Sequence, residues 1–111
     1  MSTAVAFRDL MDRSRLDGRG VRFVDDPTAL PEGTTTLVVD LVRHGVAVVA
    51  PLVDRGVRVV GVVPHVDHPL RADAAAAGLQ VVARSWFFAH LDEVVGPVLR
   101  PQDPDDQPSA R

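Results

Sequence analysis

The chain contains no cysteine, lysine, tyrosine, asparagine or isoleucine, and a single tryptophan. Without cysteine, disulfides and thiolate metal sites are excluded. Without lysine, all 12 basic side chains are arginines, so any role that lysine fills elsewhere falls to a planar guanidinium fork. An excess of positive charge is missing as well. The net charge of -3 offers no electrostatic footprint for nucleic acid, which calls for a basic face. No apolar run approaches the ~20 residues of a membrane-spanning helix. The N-terminus also lacks the charged region of a signal peptide, so a cytoplasmic protein with no membrane contact is expected.

What is present is enough for one globular domain. The 111 residues are 46% hydrophobic and 24% charged, which suits a soluble fold with a core of its own. The stretch Thr36-Leu37-Val38-Val39-Asp40-Leu41 is a short apolar run with a carboxylate near its end. That pattern predicts a strand buried on both faces. In an open α/β sheet the carboxyl end of such a strand is where ligands bind, which makes Asp40 a candidate functional acid.

The remaining elements follow from periodicity and breakers. Thr3 to Phe7 reads as a first strand, and Leu10 to Leu16 as a helix stopped by Gly18 and Gly20. Val21 to Val24 alternates as an edge strand does, and Thr28 to Gly33 leaves room for one helical turn at most. Val46, Val49, Ala50 and Val53 repeat at helical spacing up to Gly56. Pro51 within them implies a kink or a late start. Val57 to Val63 is a second interior strand. Asp67 or His68, Pro69 and Gly78 bracket the next helix with a cap, a first-turn proline and a terminating glycine. Leu79 to Ala83 is a short fifth strand, and Ser85 is placed to cap a last helix carrying Phe87, Leu91, Val94 and Val98. The fold class expected is therefore α/β, a three-layer flavodoxin-like (βα)5 with a parallel five-stranded sheet ordered 2-1-3-4-5. Residues 1–99 make the domain, and the Pro/Asp-rich residues 100–111 make a disordered tail.

Three stretches carry a family likeness. Leu37-Val38-Val39-Asp40-Leu41, Ala76-Ala77-Gly78-Leu79 and Arg84-Ser85-Trp86-Phe87-Phe88 stand, in this order, where a response-regulator receiver domain has its third strand, the end of its fourth helix and the start of its fifth. Over residues 3–99 the chain resembles such a receiver. The resemblance implies that Asp40 is the phosphoacceptor equivalent, Asp9 a remnant of the acidic site, and Arg84 the partner of a phosphate or carboxylate. Several positions depart from the pattern. Arg8 stands beside Asp9 where a second acid belongs, and Val62-Val63-Pro64-His65 lacks the hydroxyl that closes strand four. Arg84-Ser85 replaces Lys-Pro, and Arg43-His44 replaces Met-Pro. The chain thus resembles an atypical pseudo-receiver with a degenerate phosphorylation site. No cofactor is expected beyond weak Mg2+ on Asp9 and Asp40, since Mg2+ needs few protein ligands.

Other chemistry is weaker. Arg43-His44-Gly45 matches the Arg-His-Gly motif of histidine phosphatases, but a short motif without its context is only a hypothesis. Those enzymes need a second histidine and a much longer chain than the 66 residues that follow Gly45. His65-Val66-Asp67-His68 has metal-ligating side chains at a spacing that is not a recognised zinc pattern. A structural pair between Asp40 and Arg84 is an alternative to any chemistry at Asp40. Trp86, Phe87 and Phe88 cannot all share one buried helix face, which leaves Trp86 and Phe88 as candidates for a partner surface.

The leading expectation is a non-enzymatic signalling or regulatory module acting by protein–protein contact. The partner binds in trans, or the chain forms a homodimer, through the face of the fourth helix, fifth strand and fifth helix. One alternative is a stand-alone receiver phosphorylated on Asp40. Another is binding of a small anion in a pocket rimmed by Arg8, Arg43, His44 and His65.

Overall fold

The computed structural model describes residues 2–96. The expected limit of the domain at residue 99, the helical role of Val98 and the tail at 100–111 lie outside the described residues. Five strands, β1 (Ser2–Ala6), β2 (Arg22–Phe23), β3 (Thr34–Asp40), β4 (Arg58–Val63) and β5 (Gln80–Ala83), form one sheet. Its order is β2-β1-β3-β4-β5 with every neighbouring pair parallel, the flavodoxin-like arrangement. The helices are α1 (Leu10–Arg15), α2 (Leu41–His44), α3 (Val46–Asp54), α4 (His68–Ala77), α5 (Arg84–Ala89) and α6 (Leu91–Val94).

The central strands are covered on both faces, which is why they read as continuous apolar runs rather than alternating ones. Leu37 and Val39 of β3 join Ala4, Ala6, Val59 and Val63 in a core closed by Val49 and Leu52 of α3 and Ala74 of α4. Val38 points the other way and joins Val5, Val60, Val62 and Val82, closed by Leu16, Phe87 and Val94. Phe87 is fully buried, with its ring edge-on to Phe7 at a centroid distance of 5.8 Å. Truncating it to alanine would cost about 3–5 kcal/mol. No helix forms between β2 and β3. Residues 27–33 make turns, and Val24 and Leu30 cover the sheet there in place of one.

Local signals held best where a cap and a breaker coincide. Asp67 accepts a hydrogen bond from the Leu70 N–H at 2.8 Å, Pro69 lies in the first turn of α4, and Gly78 ends it in the left-handed region. α3 starts at Val46 and runs through Pro51 to Asp54, so it does not start late. Ala47, whose carbonyl loses its helical partner to Pro51, is exposed, so that carbonyl is open to solvent. Gly45, at φ +85°, ψ 156°, joins α2 to α3 in a conformation that side chains other than glycine's resist.

The last helix differs from its sequence reading. It starts at Arg84, directly after β5, with Ala83 at its N-cap and no side-chain cap, so Ser85 is not the capping residue. It also breaks at His90 into α5 and α6. There the His90 N–H turns to the Phe87 carbonyl at 3.1 Å. The His90 ring Nδ1 takes the Trp86 carbonyl at 2.8 Å, an acceptor that an unbroken helix would give to the backbone. Arg19 holds α6 down by donating to Asp92 at 2.6 Å and to the Gly96 carbonyl at 2.8 Å. No helix among the described residues is long and apolar enough to cross a membrane.

Candidate functional site

The carboxyl ends of β1, β3 and β4 open on a cavity of about 240 Å3. Asp9, Asp12, Asp40, Arg84 and Phe88 line it, with Phe7 and the end of β4 as its floor. The sheet order brings these residues together: β1 and β3 are neighbours, so the acids that follow them are neighbours too.

Asp9 and Asp40 do the same local work. Asp9 is the N-cap of α1, its Oδ1 accepting from the Met11 N–H at 2.8 Å and the Asp12 N–H at 3.3 Å. Asp40 is the N-cap of α2 and accepts from the Arg43 N–H at 3.3 Å. β3 ends on its acid and β1 is followed by one three residues on, because the helix after each begins there with unpaired N–H groups.

The side chain that Arg84 grips is Asp12, not Asp40. Its Nη1 donates to Asp12 Oδ2 at 3.0 Å and its Nη2 to Asp12 Oδ1, a bidentate fork. This corrects the expected Asp40–Arg84 pair. Asp12 is 8% exposed and is the one buried charged residue among those described. Burial pushes its pKa above the ordinary carboxylate value, Arg84 pulls it down, and the charges of Asp9 and Asp40 push it up again. Reading α1 by its apolar residues missed Asp12, because Leu10 and Met11 turn outward. A signal was available: Asp12 stands four residues before the buried Leu16, on the same helical face.

Asp9 and Asp40 line one cavity, but the oxygen that each aims at its helix is already occupied. Among the described residues no group of three or more His, Cys, Asp or Glu is placed to hold a metal ion. This includes the His65-Val66-Asp67-His68 stretch, where Asp67 caps α4 and His68 is its first residue. Of the expected pocket rim, Arg8, Arg43 and His44 do not line the acidic cavity. Arg43 and His44 lie in α2, and His44 sits near enough to Asp26 to help hold that carboxyl below its usual range.

A second, larger cleft of about 1130 Å3 adjoins the first through Pro64, Arg84 and Phe88. It lies between α4, β5 and α5, and His65 lines it. Trp86, at its lip, is 39% exposed and stacks on His90 with ring centroids 4.2 Å apart. Phe88 is not a free surface. It packs on Phe87 at 5.0 Å and Phe7 at 6.5 Å, and the Arg15 guanidinium lies 3.8 Å above its ring. Of the two aromatics expected at a partner surface, Trp86 is the exposed one. Leu10, Met11 and Val42 are also exposed apolar side chains, on the helices that start at the ends of β1 and β3.

No protein-family model, no curated protein and no solved structure matches the chain.

Proposed function

We propose that the chain is a cytoplasmic, non-enzymatic regulatory module of pseudo-receiver type that acts by protein–protein contact through the face of α4, β5 and α5. The observation that carries this reading is Trp86, a large aromatic left 39% exposed at the edge of the sheet and braced by the His90 ring. Aromatic anchors of this kind dominate contact surfaces because they bury much area at little entropic cost. The acidic cavity supports the non-enzymatic part of the reading. Its two strand-end acids carry helix caps, and its cation is held by Asp12. The contact is made to a partner in trans or to a second copy of the chain.

Sedimentation velocity on the purified chain, with Trp86→Ala beside it, tests self-association. Weakened association in Trp86→Ala, with association retained in Met11→Ser, is the expected result. Equal association in wild type and Trp86→Ala, or a loss only in Met11→Ser, would move the contact away from this face.

A second reading is a receiver that accepts a phosphoryl group on Asp40. The observation favouring it is that Asp9, Asp40 and Arg84 line one cavity. Mg2+ on the free oxygens of Asp9 and Asp40 would supply charge neutralisation, and Arg84 would have to leave Asp12 to reach the phosphate. An amide NMR titration with Mg2+ and then beryllofluoride distinguishes the two readings. Shifts centred on Asp9, Asp40 and Arg84 that spread into α5 support the phosphorylated receiver, and an unchanged spectrum removes it.

A further inference from the structure

The cleft between α4, β5 and α5 is positive although the chain as a whole carries a net charge of -3. Arg15, His65, Arg71 and Arg84 line it together with Trp86 and Phe88, and no carboxylate does among the described residues. These side chains come from four separate places in the chain: the end of α1, the loop after β4, α4 and the first residue of α5. Only the fold brings them together. Arg84 is partly neutralised by Asp12, yet its side chain remains 42% exposed. Arg15 is held over the Phe88 ring, and its charge also acts on the Asp12 carboxylate. Arg71 and His65 are exposed, and their side chains make no hydrogen bond or ion pair among the described residues. Asp12 offsets only part of the positive charge gathered here, and an anion in the cleft relieves the repulsion that is left.

We propose that this cleft binds a small polyanion, an organic phosphate or polycarboxylate with two or more negative charges. Its oxyanions sit on the fork of Arg71, flanked by Arg15 and by the exposed edge of the Arg84 guanidinium that Asp12 does not engage. Guanidinium forks match phosphate and carboxylate oxygens two at a time. Trp86 and Phe88 supply apolar walls for the rest of the molecule. Three arginines and a histidine are too few for a nucleic-acid track, and their position beside the carboxyl ends of β4 and β5 is where ligands of open α/β sheets bind. The cleft lies on the same α4, β5 and α5 face as the proposed partner contact and shares Trp86 with it, but the two readings are separable by their residues. Anion binding fails or stands on the arginines, whereas the partner contact fails or stands on the tryptophan.

The test is calorimetric titration of the full chain with inorganic pyrophosphate, and separately with citrate, at constant ionic strength. Wild type, Arg71→Gln and Arg58→Gln are compared. Arg58 is exposed at the opposite end of β4 and donates to Gln80, so it reports non-specific attraction. Saturable binding of one probe, weakened about tenfold by Arg71→Gln and less than about twofold by Arg58→Gln, is the expected result. Tighter binding of pyrophosphate assigns the phosphate source, and tighter binding of citrate the carboxylate source. Absence of saturation with both probes, or equal losses in the two variants, would overturn the proposal. Saturable binding of a penta-aspartate peptide with no binding of either small anion would overturn it in favour of an acidic protein segment.

Discussion

Arg84 clasps both carboxylate oxygens of Asp12, 72 positions earlier in the chain. The pair ties the first turn of α1 to the first residue of α5 across the carboxyl end of the sheet. It also decides what the acidic cavity can do. A cation that would otherwise face Asp40 is turned towards the most buried acid of the site.

Removing one partner of this pair is expected to be asymmetric. Arg84→Ala leaves the Asp12 carboxylate buried without its donor and should cost about 1–3 kcal/mol at neutral pH. Asp12→Asn keeps an oxygen acceptor, removes a charge that burial disfavours, and frees an arginine that is already 42% exposed. Its cost should stay below about 1 kcal/mol. Urea unfolding of both variants checks the order, and a larger loss in Asp12→Asn would contradict it.

The two shifted acids should pull the pH dependence of stability in opposite directions. The folded pKa of Asp12 lies above the ordinary 3.8, chiefly from burial. Its contribution is fully present below the unfolded value and is lost as pH rises through the folded one. The folded pKa of Asp26 lies below 3.8 because the Thr28 hydroxyl and N–H both donate to it, at 2.6 and 2.9 Å. Its contribution is present above 3.8 and is lost as pH falls through the folded value. Wild type should therefore gain on Asp12→Asn as pH falls from about 7 to about 4, and parallel stability curves would contradict this. Thr28→Ala should bring the Asp26 carboxyl, followed by NMR, back up towards its ordinary value.

Asp40 can be divided into a cap and a charge. Asparagine caps helices as well as aspartate does, so Asp40→Asn should change stability by only a few tenths of a kcal/mol. Asp40→Ala loses the hydrogen bond from Arg43 N–H and should cost about 0.5–1 kcal/mol. Equal losses in the two variants, measured by thermal unfolding, would mean that the charge and not the cap is what the fold uses.

Gly61 and Leu41 should behave as a coupled pair. A Cβ on Gly61 of β4 would meet Leu41 Cδ2 at 2.8 Å and Leu41 Cβ at 3.3 Å, where the buried first residue of α2 packs on the sheet. Gly61→Ala should destabilise by about 1–3 kcal/mol through overpacking. Leu41→Val, which removes the nearest carbon, should recover part of that loss in the double variant. A double-mutant cycle with no interaction energy would show that the contact is relieved elsewhere.

Much of this was legible along the chain. Apolar runs at Leu37–Val39 and Val59–Val63, the alternation around Phe23, and the Asp67-Pro69-Gly78 bracket are local signals, and local chemistry settles them whatever surrounds them. Strand order followed from the same signals, because only an interior strand needs to be apolar on both sides and only an edge strand tolerates alternation. The break at His90 was not legible. It depends on a ring nitrogen reaching the Trp86 carbonyl, which helical periodicity does not register.

What the sequence by itself determined is therefore the parallel sheet, its order and the acids at its strand ends. Those features rest on hydrophobic period and helix capping between near neighbours. What only the tertiary structure decided is which charges meet. Arg84 pairs with Asp12 rather than Asp40, and Arg15, His65 and Arg71 share one cleft while Arg8, Arg43 and His44 stay outside it. The physical reason is that charge pairing depends on distance in space. Side chains far apart in sequence acquire that distance only when the helices are laid on the two faces of the sheet.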